Sequence, residues 1–428
     1  MKSLMIGEHS GKVNSFIFMI VLLLFSYVGS ASASPWIIET VDNINPWTAK
    51  ISLALDSNGK THISYFDTSN KSIKYANNVS GSWAISAIRS GSVSDAGISM
   101  VIDSIGKVHI GYQESNGDLL YSTNASGSWV STVVDVGVWP TDPAIAVDTN
   151  NKIHISYFDL INFDLKYASN SSGTWQKSVI VNGGAVGPLP YYASAIAVDK
   201  NRKVHIGYYD DASPDSVKYV TNVSGNWQIT TIENIGLAAG WQLSIAVDQS
   251  IAVHMAYYNW TNDELKYATN ASGSWIKIKA STGDDSGIGN MSLALDNSGM
   301  VHISYITNGG LKHTTNRSGT WKTEMVESGG TQSRSSLAIS PGQRAHIGYY
   351  NYVYASTNGY DVRHAYQAPT SLGDLNDDGL INLEDAILAI QVCAGMTAST
   401  PIYKQADVNG DSKIGLAEVI YILQKVAG

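Results

Sequence analysis

The chain has 428 residues, with 27 Lys and Arg against 36 Asp and Glu, a formal net charge of −9 and one cysteine, Cys393. The acidic balance excludes the basic footprint that a nucleic-acid partner requires, and a lone cysteine excludes an internal disulfide. The length suffices for one large domain and one small one.

The first residues read as a secretory leader. Lys2 and Lys12 precede an apolar run from Phe16 to Phe25, and Ala31-Ser32-Ala33 supplies a small-x-small cleavage site, so residues 1–33 are expected to be removed after Ala33. The run is shorter than the roughly 20 residues needed to span a bilayer, and no later segment reaches that length. The expected location is secreted, extracellular or cell-surface associated, with no stable membrane span after cleavage. A secreted chain without disulfides needs another source of stability: a large closed core, bound metal, or both.

From residue 34 to 367 the chain repeats itself. V-H-I-S-Y and its variants place His62, His109, His154, His205, His254, His302 and His346 at intervals of 44 to 51 residues. Six residues before these stand Asp56, Asp103, Asp148, Asp199, Asp248 and Asp296, with Ser340 in the last unit. L-K-Y-A or a relative follows, then N-x-S-G-x-W, ending on Trp83, Trp129, Trp175, Trp227, Trp275 and Trp321. One unit therefore reads as four short strands, each bounded by Gly, Asn, Ser or Asp. D-x-x-G-K suits a tight turn between strands one and two, and N-x-S-G one between strands three and four. Four strands at this period are the signature of a propeller blade.

The last unit runs SSLAIS, AHIGYY and DVRHAYQ and stops without its closing Trp. The missing strand stands at the other end, Trp36 to Val41. Six whole blades and one shared blade make seven, and sharing removes the open edge that a ring would otherwise carry. The chain resembles secreted seven-bladed β-propellers over about 36–367, and it lacks the Trp-Asp endings of the WD-repeat class. The fold class is thus all-β, with four-stranded blades and the last blade closed by the N-terminal strand.

The repeated His residues are expected to be structural. One sits in each blade, neighbouring sheets pack about 10 Å apart, and zinc ligands must converge within about 2.1 Å of one ion. Each should bond a backbone carbonyl or the Asp six residues earlier. The repeated Trp and Tyr read as core between blades, and the Asp series as caps on its own turns.

Function is sought where the units differ. The loops from strand two to three, and from strand four to the next blade, share one face. They carry Trp47, Trp139, Tyr191, Tyr192, Trp241 and Trp260, with Asp67, Glu114, Asp159 and Asp210 just after strand two, and Asp142, Asp284 and Asp285. Aromatic faces stack on sugars and carboxylates accept hydroxyl hydrogen bonds, so this set is the candidate carbohydrate-binding surface. The competing reading has the aromatics fastening loops and the acids capping strand ends. Catalytic residues are not identified. A glycosidase needs two carboxylates about 5 to 9.5 Å apart, a sialidase-like site needs several Arg where this face offers little beyond Arg334, and whether the chain is an enzyme stays open.

After residues 368–371, a short linker, the texture changes. Asp374 to Asp385 and Asp407 to Glu418 both fit the twelve-residue calcium loop, with oxygen ligands at positions 1, 3, 5, 7, 9 and 12. The first set is Asp374, Asn376, Asp378, the Leu380 carbonyl, Asn382 and Asp385. The second is Asp407, Asn409, Asp411, the Lys413 carbonyl, Gly415 through water, and Glu418, with Ser412 where glycine is usual. One helix follows each loop, Leu383 to Val392 and Leu416 to Val426. This duplicated loop-helix pair, residues 372–428, resembles a dockerin. The resemblance implies two Ca2+ ions and a cohesin-like partner domain. Many dockerins carry small hydroxyl residues at loop positions ten and eleven; here those are Leu383 and Glu384, then Leu416 and Ala417.

The expected function is an extracellular propeller that binds a polysaccharide or glycoprotein and is tethered to a larger assembly. The alternatives are a polysaccharide-degrading hydrolase or lyase with the same tether, and a structural surface protein.

Overall fold

The computed structural model describes residues 36–44, 50–183, 194–210, 214–236, 243–281, 288, 290–329, 332–352, 359–368, 372–376, 381–396, 398, 402, 406–411 and 413–427. Seven four-stranded antiparallel sheets follow one another, each ordered as the chain runs except the last. Blade 1 comprises Ile51–Leu55, Thr61–Asp67, Ser72–Asn77 and Ala84–Ser90. In blade 7 the strands Gln332–Ile339, Ala345–Tyr352 and Tyr360–Gln367 are completed by Trp36–Ile44. The closing pair runs from Trp36 opposite Gln367 to Ile44 opposite Tyr360, three residues beyond the Val41 expected from the sequence. The first strands of successive blades adjoin, and blade 7 meets blade 1, so the ring is closed.

In the second strand V-H-I-S-Y alternates apolar with polar residues, yet both sets are buried. All seven residues of Thr61–Asp67 are buried, and so are those of its counterparts in the next five blades. A strand covered on both faces must satisfy its polar side chains inside the protein. The Ile and Tyr side chains form the core between blades, with Ile63, Tyr65, Ile155, Tyr157, Ile303 and Tyr305 fully buried. The position between them stays small because the next blade presses on it. A Cβ on Gly207 would lie 2.7 Å from Leu243 Cδ1 and from Met255 Cε. The fourth strands face outward and are largely exposed.

The repeated polar residues hold the blades internally. Asp56 Oδ1 accepts the backbone N–H groups of Asn58 at 2.9 Å and Lys60 at 2.8 Å. Its Oδ2 lies 3.6 Å from His62 Nε2, and His62 Nδ1 meets the Tyr75 hydroxyl at 2.5 Å. Blades 2 to 5 repeat this relay, with Nδ1 to Tyr distances of 2.6 to 2.7 Å. In blades 6 and 7 a histidine replaces the Tyr: His302 Nδ1 meets His313 Nε2, and His346 Nδ1 meets His364 Nε2, both at 3.1 Å. The repeated Trp packs edge-on against the third-strand ring of the preceding blade, as Trp129 does on Tyr75 at 5.3 Å. Trp36 does the same on His313 at 5.4 Å, and Trp83 on His364 at 5.6 Å. Trp36 is therefore the seventh Trp of the series.

A serine belt ties the first strands together. Ser52 Oγ accepts Met100 N–H at 3.0 Å, Ser99 Oγ accepts Ile145 N–H at 3.2 Å, Ser292 Oγ accepts Leu337 N–H at 3.0 Å, and Ser336 Oγ accepts Leu53 N–H at 2.9 Å. The sequence reading did not find this belt, although Ser recurs at the same place in several first strands.

Beyond the ring, helices α1 (Leu383–Cys393) and α2 (Leu416–Ala427) follow the two acidic loops. They pack through Leu375, Leu388, Ala406, Val419 and Ile422 into a small core of their own. Asn382 caps α1, its side chain accepting Glu384 N–H at 2.7 Å while Asp385 reaches back to Asn382 N–H at 2.9 Å.

Candidate functional site

On the face where the loops vary, the ring opens into a central cavity of about 140 Å³. Every blade contributes to it through the start of its first strand. Lys50, Asp142 and Arg334 are the titratable residues among the described lining, set among Ser52, Ser99, Asn290, Ser292 and Ser336. Lys50 Nζ lies 2.7 Å from Asp142 Oδ2, and both side chains are mostly buried. Burial pulls the Lys50 pKa down and the charge of Arg334 pulls it further, while Asp142 opposes both. Arg334 has no hydrogen bond or ion pair among the described residues.

The backbone is held in a costly form to put these groups there. Asp142 has φ +44° and Arg334 φ +49°, left-handed values that a residue other than glycine rarely adopts. Each sits at a break in strand register, between Thr141 and Ala144 in blade 3 and between Ser333 and Ser335 in blade 7. Bulges re-aim side chains and cluster beside functional sites. Gly97 makes room for the first. A Cβ there would stand 2.9 Å from Asp142 Cα and from Pro143 Cδ. Lys50 is anchored through its carbonyl, which accepts the Tyr350 hydroxyl at 3.1 Å.

The residues singled out from sequence fall into three groups. Trp139 and Trp260 are partly exposed, at 45% and 38%. The Trp139 ring lies over Gly117, and the Trp139 backbone N–H donates to the Gly117 carbonyl at 2.8 Å. Trp260 packs edge-on against buried Tyr258 at 4.9 Å. Both rings thus fasten a loop on one side and leave area outward. Trp47, Tyr191, Tyr192, Trp241, Asp284 and Asp285 lie outside the described residues.

The acids after strand two require a correction. They do not stand free around the mouth. Asp67, Glu114, Asp159 and Asp210 are all buried. Asp67 pairs with Lys74 at 2.9 Å and Asp159 with Lys166 at 2.8 Å; Asp210 pairs with Lys218, and Glu114 with the Arg89 guanidinium. Burial would raise Asp67 and Asp159, but the Lys and Asn partners prevail and hold both below the usual carboxylate range. A general acid needs the opposite shift. For the three aspartates the cause is legible afterwards: a Lys on strand three faces the end of strand two, as the recurrent L-K-Y-A implies, whereas Glu114 takes Arg89 from the fourth strand of blade 1. Lys50 was missed because it belongs to no repeat.

The acidic loops carry oxygen donors suited to a hard cation, and their backbone wraps onto the last carboxylate. Leu375 N–H donates to Asp385 Oδ1 at 2.7 Å, and Val408 N–H to Glu418 Oε1 at 3.1 Å. Asp407 Oδ1 accepts Gly410 N–H at 2.8 Å, and Asp411 Oδ1 accepts Lys413 N–H at 2.8 Å. Asp374, by contrast, reaches out of its loop: its Oδ2 takes Arg344 Nη2 of blade 7 at 2.7 Å, with both groups buried. Among the described residues no three His, Cys, Asp or Glu converge on one point. Asp378, Leu380 and Ser412 lie outside those residues.

No protein-family model and no curated protein matches the chain. Solved structures match the ring at low identity. AofleA from Arthrobotrys oligospora aligns with a TM-score of 0.50 and 13% identity over 68% of this chain and 90% of its own. The polysaccharide lyase Uly1 aligns at 0.50 and 10%, over 80% and 93%. A polysaccharide lyase of the PL25 ulvan lyase family, bound to -[GlcA(1-4)Rha3S]-, aligns at 0.52 and 12%, over 77% and 95%. These likenesses show the seven-bladed fold.

Proposed function

We propose that the chain is an extracellular propeller that binds a polysaccharide or glycoprotein across the variable face, with the central cavity as its anchor point. One observation carries this reading. Residues from all seven blades line a single polar mouth, and two of its three charged residues are held there at left-handed backbone angles. Trp139 and Trp260 offer exposed ring area on the same face, suited to stacking on a sugar. Two of the matched folds belong to polysaccharide lyases, which supports a carbohydrate ligand by association only.

Degradation is the second reading, and the same matches favour it. Each of the four acids after strand two is paired with a cation, which weighs against a glycosidase pair among them. A structural surface protein is the third. Residues 34–367 incubated with a polysaccharide panel separate the three: retention without released ends supports binding, released reducing or unsaturated ends support an enzyme, and neither supports a structural role.

Residues 1–33 fit a secretory leader. Residues 372–428 fit a dockerin-like module, in which Asp374, Asn376, Asp378, Leu380, Asn382 and Asp385 hold one Ca2+ and Asp407, Asn409, Asp411, Lys413, Gly415 and Glu418 a second. A cohesin-like domain is the partner this module would take. Isothermal titration with CaCl2 tests the stoichiometry of two, and a single or absent binding event rejects it.

A further inference from the structure

The cavity mouth is electrostatically incomplete. Its described titratable lining holds two cations, Lys50 and Arg334, and one anion, Asp142. Asp142 is committed to Lys50 at 2.7 Å. Arg334 is half-buried at a strained bulge and has no hydrogen bond or ion pair among the described residues. A guanidinium carries five donors in a fork that matches planar oxyanions, and leaving such a charge unmatched in a narrow polar cleft is costly. In the same lining, Ser52, Ser99, Ser292 and Ser336 each use an oxygen lone pair to accept a backbone N–H of the adjoining blade. A hydroxyl also carries one donor, and no hydrogen-bond acceptor is assigned to these four protons among the described residues. The lining therefore combines two cations and one committed carboxylate with four serine hydroxyls that each retain a donor.

We propose that this mouth is an oxyanion subsite, which takes the carboxylate or sulfate ester of an acidic glycan with Arg334 as its main contact and Lys50 as the second cation. The inference rests on the carbohydrate reading above and adds the charge class of the ligand. The cavity exceeds the roughly 15 Å³ that a single water needs but is below the roughly 300 Å³ of a typical ligand pocket. It has room for one charged substituent, while the rest of the glycan would lie across the face towards Trp139 and Trp260.

The test uses the full secreted chain and two variants of opposite sign. Arg334→Gln removes the unmatched cation. Asp142→Asn removes the internal anion at a position whose φ of +44° asparagine tolerates. Binding is measured to polygalacturonate, its methyl ester, a sulfated galactan and the desulfated galactan. Thermal shifts are recorded with free glucuronate against glucose. The wild-type chain should prefer a charged polymer over its neutral form and should be stabilised by glucuronate more than by glucose. Arg334→Gln should weaken the charged ligand about tenfold or more, the size of one charge-assisted hydrogen bond, without affecting the neutral one. Asp142→Asn should tighten it. A preference for uronate over sulfate, or the reverse, identifies which oxyanion the site takes. Equal binding of charged and neutral polymers, unchanged in both variants, overturns the oxyanion subsite and leaves the carbohydrate reading standing. No retention of any polymer overturns the carbohydrate reading; a glucuronate shift that Arg334→Gln abolishes would still establish the anion site.

Discussion

The histidine relays make the ring sensitive to mild acid, and the size of the effect can be worked out. His302 is 1% exposed and His364 2%. Burial, with the charge of His313 next, pushes the His302 pKa down to about 3. Burial, reinforced by His346 and opposed by Glu39, pushes His364 to about 4. A depressed histidine favours the neutral form when folded, so the unfolded chain binds more protons once pH falls below about 6.5. The stability contribution is complete above that value and is lost as pH falls towards the folded pKa. At pH 5 the loss is about 2 kcal/mol for each residue, and it stays near that value for any folded pKa below about 4.5. Two residues therefore cost the ring about 4 kcal/mol. Unfolding entropy of about 2.1 cal/mol/K per residue over residues 36–367 converts this to a fall of about 6 °C in Tm. His109, His154, His205 and His254, which burial also depresses, act in the same direction. The carboxylates held low, such as Glu39 and Glu324, matter only at lower pH. The assay is calorimetry of the chain from pH 7.5 to 5 at constant ionic strength, beside His364→Tyr, which restores the residue found in blades 1 to 5. The variant should lose about 2 kcal/mol less across that range. A Tm independent of pH, or an identical fall in the variant, would refute the argument.

Other consequences are simpler to read. Deleting residues 34–44 should leave blade 7 with three strands and an exposed edge, and should lower the Tm of the whole ring; circular dichroism melting unchanged by the deletion would reject the shared blade. Trp36→Ala should cost about 3 to 5 kcal/mol, measured by denaturant unfolding, because its ring closes on His313 between blades. Trp139→Ala should weaken glycan retention with little change in Tm, since 45% of that side chain is exposed; unchanged retention in affinity electrophoresis would remove Trp139 from the surface that binds.

The repeat made the ring readable and also hid its site. Strands, turns and blade count followed from residues that recur in each unit, because each blade must bury the same faces and cap the same turns. His, Asp, Tyr and Trp could be assigned to structure for that reason alone. The site is built from what does not recur. Lys50, Asp142 and Arg334 come from three blades and have no common spacing, and only closure of the ring brings them to one mouth. The acids after strand two misled for the complementary reason. Asp67, Asp159 and Asp210 recur at the same register as a lysine one strand away, so a periodic feature was taken for a variable one. The serine belt was open to discovery, since I-S-L-A and L-S-I-A repeat, but a serine on an inner strand has no distinctive signature until the next blade is placed beside it.

The contact between Arg344 and Asp374 bears on how the acidic loops would answer to calcium. Asp374 stands at position one of the first loop, the place of a carboxylate ligand, yet its Oδ2 is taken by the blade 7 guanidinium at 2.7 Å. Both side chains are almost wholly buried, 5% and 0% exposed, so neither is screened by water and the pair cannot be dismissed as a surface contact. The carboxylate cannot serve two cations equally. Arg344→Gln removes that competing cation from Asp374. The first loop should then bind calcium more tightly, by roughly tenfold to a hundredfold if the lost interaction has the strength of a charged hydrogen bond, about 1.5–3 kcal/mol. The second loop, whose Asp407 and Glu418 accept backbone N–H groups of their own segment and whose Asp411 accepts Lys413 N–H and the Asn409 side-chain amide, should be unchanged and serves as the internal control. Isothermal titration of the full chain with CaCl2 measures both. First-loop affinity that stays the same or falls would mean that Asp374 belongs to the ring rather than to the ion, and that the loop would have to bind without its leading carboxylate.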